Sequence, residues 1–431
     1  IVNTAEVESD YSYNIAEETT PVCCWGGDVI FVDVFATGYK TGADWENAYT
    51  DLQDALARAE RGCGSEIWVA GGIYSPGNDP CNTFKIPDEV VLYGGLAGNE
   101  DPNTFDLADR DYTAHRTVLT GYIDETTRNE KIVTMGGETV LNGFVVKEGG
   151  ITSGIYGEGV DFSIANCVVV DNTWYGIYCE NGNADISWCV VKENGHDGIW
   201  HVGSGKSLFV ENCKIFENKQ NGIYSLYSAP TIINSMIYEN GSDGTDYYGI
   251  SINQTSHKPT IRNNTIVYNS NEGIQFTGNN VPDIRNCIIW HNNPDNGYFQ
   301  LSENCPVPTY SCITDPNDPQ GEDPGADEPD EETGNISSNP NFAYTDPNMA
   351  NYHLDPCSPC VDAGDPCDTC DGELDIDGNN RVLNGDDYSP DNGRVDMGAD
   401  EVSCDDIYNL SLIHISEPTR PLYISYAVFC L

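Results

Sequence analysis

Four aromatic residues, Tyr156, Tyr178, Trp200 and Tyr224, each follow a Gly-Ile pair by one position. If the Ile of each pair points into a core, the next side chain points out, because successive residues of a strand face opposite sides. Such a row could act as a track for sugar rings, whose apolar CH faces pack on aromatic faces. The same residues could equally be good strand formers that shield a sheet surface. Beside the row lie His196, Asp197 and Glu180, residue types able to move protons. A His in a turn also serves as an ordinary polar surface residue.

Two further sets could bind cations. Asp375, Asp377, Asn379 and Asp386 fall at positions 1, 3, 5 and 12 of a calcium-loop pattern and offer hard oxygen ligands. Asn380 stands where that pattern has Gly, and the last ligand is Asp rather than Glu, so an Asp-Gly-Asn turn is the competing reading. Asp171, Glu193, Glu217 and Glu239 share a second slot, where like charges must bind a cation, raise their pKa values or fan into water. Lys192, Lys214 and Lys219 nearby favour the solvated arrangement. Cys357-x-x-Cys360 and Cys367-x-x-Cys370 have zinc-like spacing, but only six residues separate the pairs in an acidic setting, so disulfides are expected.

What must position these residues is a repeat. Between about Gly150 and Leu301 one pattern recurs, as in "SIANCVVVDN" (Ser163 to Asn172) and "FVENCKIFEN" (Phe209 to Asn218). The residue after the first Asn falls at Cys167, Cys189, Cys213, Ser235, Asn264 and Cys287, in steps of 22, 24, 22, 29 and 23. A Gly-Ile beat at Gly154, Gly176, Gly198, Gly222, Gly249 and Gly273 keeps the same period. Ile, Val and Cys with Asn and Gly between them suit three short strands per unit rather than a leucine-rich repeat. Each unit then reads as one coil of a right-handed parallel β-helix, an all-β fold. About ten coils fit between Glu66 and Leu301, rising ~4.8 Å each. Stacking predicts an inward thiol ladder (Cys167, Cys189, Cys213) and a turn ladder (Asn166, Asn212, Asn234, Asn263, Asn286), with Asn tolerating left-handed backbone.

Charge and composition bound the rest. The 431 residues carry a formal charge of −50 with only 19 Lys and Arg, which excludes nucleic acid as a partner because nothing could neutralise phosphates. No apolar run spans a membrane. Seventeen cysteines, with several in loops and ends, predict disulfides and secretion.

Along the chain we expect an irregular acidic segment (1–27) and a cap (28–65) of one strand and an amphipathic helix. That helix is read with Asp44 as N-cap, an apolar stripe of Trp45, Ala48, Tyr49, Leu52, Ala55, Leu56 and Ala59, and a stop at Gly62. The β-helix follows (66–301), then an acidic linker or loop (302–338) and an irregular Cys/Asp-rich tail (339–409). Residues 410–431 begin "LSLIHISEPTR", which reads as a translated sequencing adapter, and are set apart from the fold.

"DWENAYTDLQDALARA" before "EIWVAGGIYSP", the Asn-Cys coils, and the tail "NYHL…SPCVDAG…DIDG…R…VDMGADE" resemble secreted bacterial parallel β-helix proteins of the pectin-lyase-like superfamily, over roughly residues 28 to 401. The resemblance implies the fold and the layout of cap, coils and tail. Superfamily members include polysaccharide lyases, glycoside hydrolases, esterases and adhesins, so it implies no single activity. "GHDG" (Gly195 to Gly198) resembles a Gly-His-Gly stretch of polygalacturonase-like hydrolases, but neither their paired Asp motifs nor the basic residue and calcium carboxylates of pectate lyases are recognisable here. The expectation is a secreted or cell-surface monomer that binds extracellular polysaccharide through Tyr156, Tyr178, Trp200 and Tyr224, with calcium in the tail as the one candidate cofactor. The competing readings are a lyase or hydrolase using His196, Asp197 or Glu180, and a structural or adhesin module.

Overall fold

The computed structural model describes residues 29–62, 65–244, 246–294, 299–315, 332–343, 352–365, 373–381 and 394–402. Three parallel sheets wrap one core, with about ten coils stacked in register. Sheet 1 holds the Gly-Ile strands, from Phe84–Lys85 through Ser153–Glu158, Tyr175–Glu180, Ile199–Val202, Ile223–Leu226 and Ile250–Asn253 to Ile274–Thr277. Sheet 2 holds the segments before each Asn-Cys, such as Phe162–Ala165 and Leu208–Glu211, and sheet 3 the segments after it, such as Val168–Val170 and Lys214–Phe216.

Register places like residues over like. Ile155, Ile177, Ile199, Ile223, Ile250 and Ile274 form one fully buried column, each paired with its equivalent on the next coil. Cys167, Cys189, Cys213 and Cys287 are buried thiols inside the coils. Burial, with like thiols beside it, pushes Cys189 well above the ordinary thiol range, so it packs as a small neutral group.

Two turn slots carry left-handed backbone. In the first, Asn166, Asn212, Asn234, Asn263 and Asn286 have φ between 50° and 56°, as their sequence slot predicts, and Trp188 takes the same conformation at 55°. The second slot holds Asp171, Glu193, Glu217 and Glu239, with φ of 53–54°. Within the first slot Asn166 Nδ2 donates to Asn142 Oδ1 (3.1 Å) and Asn263 Nδ2 to Asn234 Oδ1 (3.0 Å), and a continuous amide ladder runs through the residue after the second slot. Asn172, Asn194, Asn218, Asn240, Asn269 and Asn292 are buried, and each Nδ2 donates to the Oδ1 of the Asn above at 2.9–3.0 Å, as far as Asn292. Gln300 Oε1 closes the row by accepting from Asn292 Nδ2 at 2.8 Å.

This ladder explains the Gly-Ile beat. A Cβ on Gly198 would stand 2.7 Å from Asn218 Nδ2, and one on Gly222 2.9 Å from Asn240 Nδ2. The buried amide therefore requires bare backbone against it.

The cap differs from the expectation in one respect. The helix spans Leu52–Glu60, with Asp51 as N-cap accepting from Gln53 N at 2.9 Å, rather than starting at Asp44. Asp44 instead holds a turn through Asn47 N (2.8 Å), and Tyr49 pairs its backbone with Phe31 and Asp33 on the edge strand of sheet 2. Edge pairing takes those backbone groups before a helix can use them. Leu52, Ala55, Leu56 and Ala59 still cover the end of the core, while Trp45 packs outside with Phe31 and Trp68.

Past Leu301 the coils continue where spacing alone gives no sign of them. Leu301 bridges Ile274, Thr309 bridges Arg285, and Cys312–Ile313 extends sheet 3 beyond Ile288–Trp290. The tail then lies on the outer face of sheet 3. Tyr352, Leu354, Cys360, Ile376 and Met397 bury Met236, Tyr238, Val267, Ile288 and Trp290. Among the described residues no helix is long and apolar enough to cross a membrane. The ten described cysteines are all free thiols, so neither Cys357, which is exposed, nor Cys360, which is buried, takes part in the disulfides expected of the two C-x-x-C pairs. Residues 1–28, Cys367, Cys370 and residues 410–431 lie outside the described residues.

Candidate functional site

The outward column of sheet 1 reads Tyr156, Tyr178, Trp200, Tyr224, Ser251 and Gln275, in register across six coils. The four rings stack on one another nearly parallel, with centroids 5.0, 4.4 and 6.2 Å apart and tilts of 6–11°. Their planes lie across the helix axis, so each inner ring spends both faces on its neighbours and shows its edge to solvent. Lys131 Nζ covers the first ring, 3.9 Å from the centroid of Tyr156. The hydroxyls of Tyr156 and Tyr178 donate to Glu158 and Glu180, each at 2.5 Å. Burial, then the bonded carboxylate, pushes the Tyr156 hydroxyl up to about 12.

At the other end the stack stops. Ser251 follows Tyr224 and is too small to cover its ring, and a hollow of about 330 Å³ opens there. Trp200, Tyr224, Ser251, Asn253 and Gln275 form its floor, and His196, Asp197, Gln220 and Asn221 one wall. Asp246, Tyr247 and Tyr248 form the other wall. Those three belong to the extra residues that lengthen one repeat step to 29, so the irregular step in the sequence marks the wall of the hollow. Floor polar groups are interlinked: Ser251 Oγ donates to Gln275 Oε1 at 2.8 Å, and Asn253 Nδ2 donates to Ser251 Oγ at 3.1 Å.

His196 and Asp197 meet as a pair. Asp197 is 2 % exposed; its Oδ1 accepts from Asn221 N (2.9 Å) and Nδ2 (2.6 Å), and its Oδ2 lies 2.9 Å from His196 Nδ1. With the carboxylate an acceptor, Nδ1 carries a proton and Nε2 is the nitrogen left with a lone pair in the neutral ring. Trp174 stacks on the imidazole at 4.7 Å and Tyr175 meets it edge-on at 4.5 Å, fixing its plane. Glu180 does not join them: it holds the Tyr178 hydroxyl and does not line the hollow.

One buried polar group inside the coils had no sequence signal beyond strand alternation. His201, inward beside Cys179 and Ser225, has Nε2 3.0 Å from Gly182 O and Nδ1 2.9 Å from Ser228 Oγ. A carbonyl only accepts, so Nε2 carries the proton. Burial lowers the pKa of this ring and keeps it neutral.

The acidic slot is shared among neighbours. Lys192 pairs with Glu193 at 2.6 Å, and the Tyr352 hydroxyl from the tail donates to Glu239 at 2.7 Å. Burial, and then the charges of Glu193 and Glu239, raise the pKa of Glu217. In the calcium-loop set, Asp375 Oδ1 accepts from the backbone N–H of Asp377 (3.0 Å) and Asn379 (2.7 Å), and Oδ2 from Glu401 N (3.2 Å) and Asn379 Nδ2 (3.2 Å). This is the bonding of an Asx turn. Asp377 turns to His353 instead, at 2.9 Å, and Asp386 lies outside the described residues.

Residues 153–310 match a family model described as a right handed beta helix region. A comparison with curated proteins gives no match. Among solved structures the chain is similar to the crystal structure of pectate lyase Pel9A, at 14% identity and a TM-score of 0.53, over 88% of this chain and 97% of that one. Azotobacter vinelandii mannuronan C-5 epimerase AlgE4 A-module also aligns, at 13% identity and a TM-score of 0.33, over 66% of this chain and 87% of that one. The repeat, the three parallel sheets and the matched region make this chain a right-handed parallel β-helix, a fold it shares with pectate lyase Pel9A.

Proposed function

We propose that this protein binds an uncharged extracellular polysaccharide in the hollow where the aromatic ladder ends, with one sugar ring packed on the open face of Tyr224. The observation that carries the reading is the break in the ladder between Tyr224 and Ser251, which leaves one aromatic face beside a ring of amides and hydroxyls. Sugar sites combine an apolar platform with a few placed polar groups, and Asn221, Asn253, Gln275 and Ser251 supply both donors and acceptors.

Charge narrows the ligand class. The lining holds two carboxylates, Asp197 and Asp246, and neither Lys nor Arg, on a chain with a formal charge of −50. A polyuronate would meet repulsion with no cation to offset it. The likeness to a pectate lyase supports an extended sugar ligand through fold alone, and the charge pattern argues against the acidic polymer that its name carries.

A second reading rests on the His196–Asp197 pair in the same hollow. An imidazole held by a buried carboxylate could take a proton from a bound sugar or water, making the protein a lyase or hydrolase. One experiment addresses both readings: the full chain is incubated with neutral and acidic polysaccharides while binding and new chain ends are scored together. Binding to neutral glycans without new ends supports the first reading, and new ends that vanish in His196→Ala support the second. No binding to any glycan would contradict both.

A further inference from the structure

We propose that His353, Asp377 and Asp400 form a site for a divalent transition-metal ion of the zinc type, which ties three segments of the tail together over sheet 3. One ligand atom from each residue lies within 4.8 Å of the other two. They come from three separate stretches, 352–365, 373–381 and 394–402, that pack on the same face of the coils.

The pairwise geometry is close to what an ion needs. His353 Nε2 stands 2.9 Å from Asp377 Oδ2. On a tetrahedral ion with bonds of about 2.0–2.1 Å, neighbouring ligand atoms are about 3.3 Å apart. The imidazole and Asp377 must therefore open by about 0.4 Å, and the widest contact close by at most about 1.5 Å. Asp377 is exposed and Asp400 is buried, with Leu354 N holding its carboxylate.

Asp400 is the second observation. Its carboxyl is 7 % exposed; Oδ2 accepts from Leu354 N at 2.7 Å, while Oδ1 accepts no hydrogen bond from a described residue. Among the described residues no Lys, Arg or His lies within ion-pair distance of it. The free oxygen of this carboxylate stands within 4.8 Å of the ligand atoms of His353 and Asp377, so it is available to an ion held between the three. Lys214, on sheet 3, lies 3.8 Å from Asp377 Oδ1 and sits at the rim of the cluster.

The donor set selects the ion. One imidazole nitrogen and two carboxylate oxygens leave a fourth position for water, the pattern of zinc and its neighbours. Calcium wants six to eight oxygens, which this cluster does not offer. Binding requires His353 Nε2 in its unprotonated form, so any proton there passes to solvent as the ion enters. The site shares only Asp377 with the calcium-loop pattern, and it stands independently of glycan binding.

The test uses the full chain, stripped with a chelator and held in excess Mg²⁺ to occupy diffuse carboxylate sites, titrated with Co²⁺ as the optical probe. We expect one equivalent to produce visible bands of four-coordinate nitrogen and oxygen ligation, without thiolate charge transfer in the near ultraviolet, and Zn²⁺ to displace it. His353→Ala and Asp400→Asn should each weaken binding at least tenfold. Asp400→Asn keeps the acceptor for Leu354 N and so preserves the local fold, which circular dichroism checks. The proposal is overturned by no spectral change, by a thiolate band that places the ion on cysteines, or by unchanged affinity in both variants.

Discussion

Tyr224 and Ser251 are register partners on adjacent coils, and the aromatic ladder stops between them. On one side Tyr224 stacks 6.2 Å from Trp200; on the other it faces a hydroxyl and a hollow. A continuous ladder would offer solvent only ring edges. The break is what turns a packed surface into a place where a ring can dock.

The rings should therefore be unequal. Tyr224→Ala is expected to weaken neutral glycan binding about tenfold or more, the loss of roughly 1.4 kcal/mol. Tyr156→Ala, whose faces are taken by Lys131 and Tyr178, should change affinity less than twofold. Titration calorimetry of the two variants measures the contrast. Equal losses would mean that the row acts as a uniform track.

Stability should hinge on the buried amide ladder. Gly198→Ala forces a methyl to 2.7 Å from Asn218 Nδ2, and should cost about 1–3 kcal/mol by overpacking. Asn218→Ala strips the acceptor from Asn194 N and Nδ2 and removes the Nδ2 bonds to Val191 O and Asn240 Oδ1, the latter keeping only the backbone N–H of residue 218, for a loss of about 2 kcal/mol or more. Urea unfolding of each variant against the parent chain checks both figures.

These two positions also show what was legible beforehand. The Gly-Ile and Asn beats gave period, fold and the outward aromatic slot, because a coil repeat writes the same packing constraint many times. Both Asn columns make amide bonds, and the sequence reading places the ladder in the first, although Trp188 interrupts that column and the second is Asn on every coil from Asn172 to Asn292. The sequence did not reveal that the rings stack on each other, which depends on side-chain rotation rather than register. The helix start moved from Asp44 to Asp51 because Tyr49 is claimed by a sheet edge, a contact outside its own segment. The pair His353 and Asp400 lies 47 positions apart with no shared pattern, so only folding brings it together.

His201 should make the coils sensitive to acid. Its folded pKa is lowered by burial, so its contribution is present above the unfolded value of about 6.5 and is lost as pH falls below that toward the folded value. The many surface carboxylates act oppositely, since protonating them relieves repulsion at lower pH. The comparison that isolates His201 is thus parent against His201→Gln. Between pH 7.5 and 5 the parent should lose more thermal stability than the variant. Parallel curves would show that the ring gains its proton without cost.

The most direct test of the central claim is neutral glycan affinity in Ser251→Tyr. That change extends the ladder by one ring stacked on Tyr224 and fills the hollow while leaving Tyr224, His196 and Asp197 themselves unsubstituted. We expect binding to fall at least tenfold while the unfolding temperature holds or rises. Undiminished binding would contradict the account, because sugar would then be docking somewhere other than the open face of Tyr224.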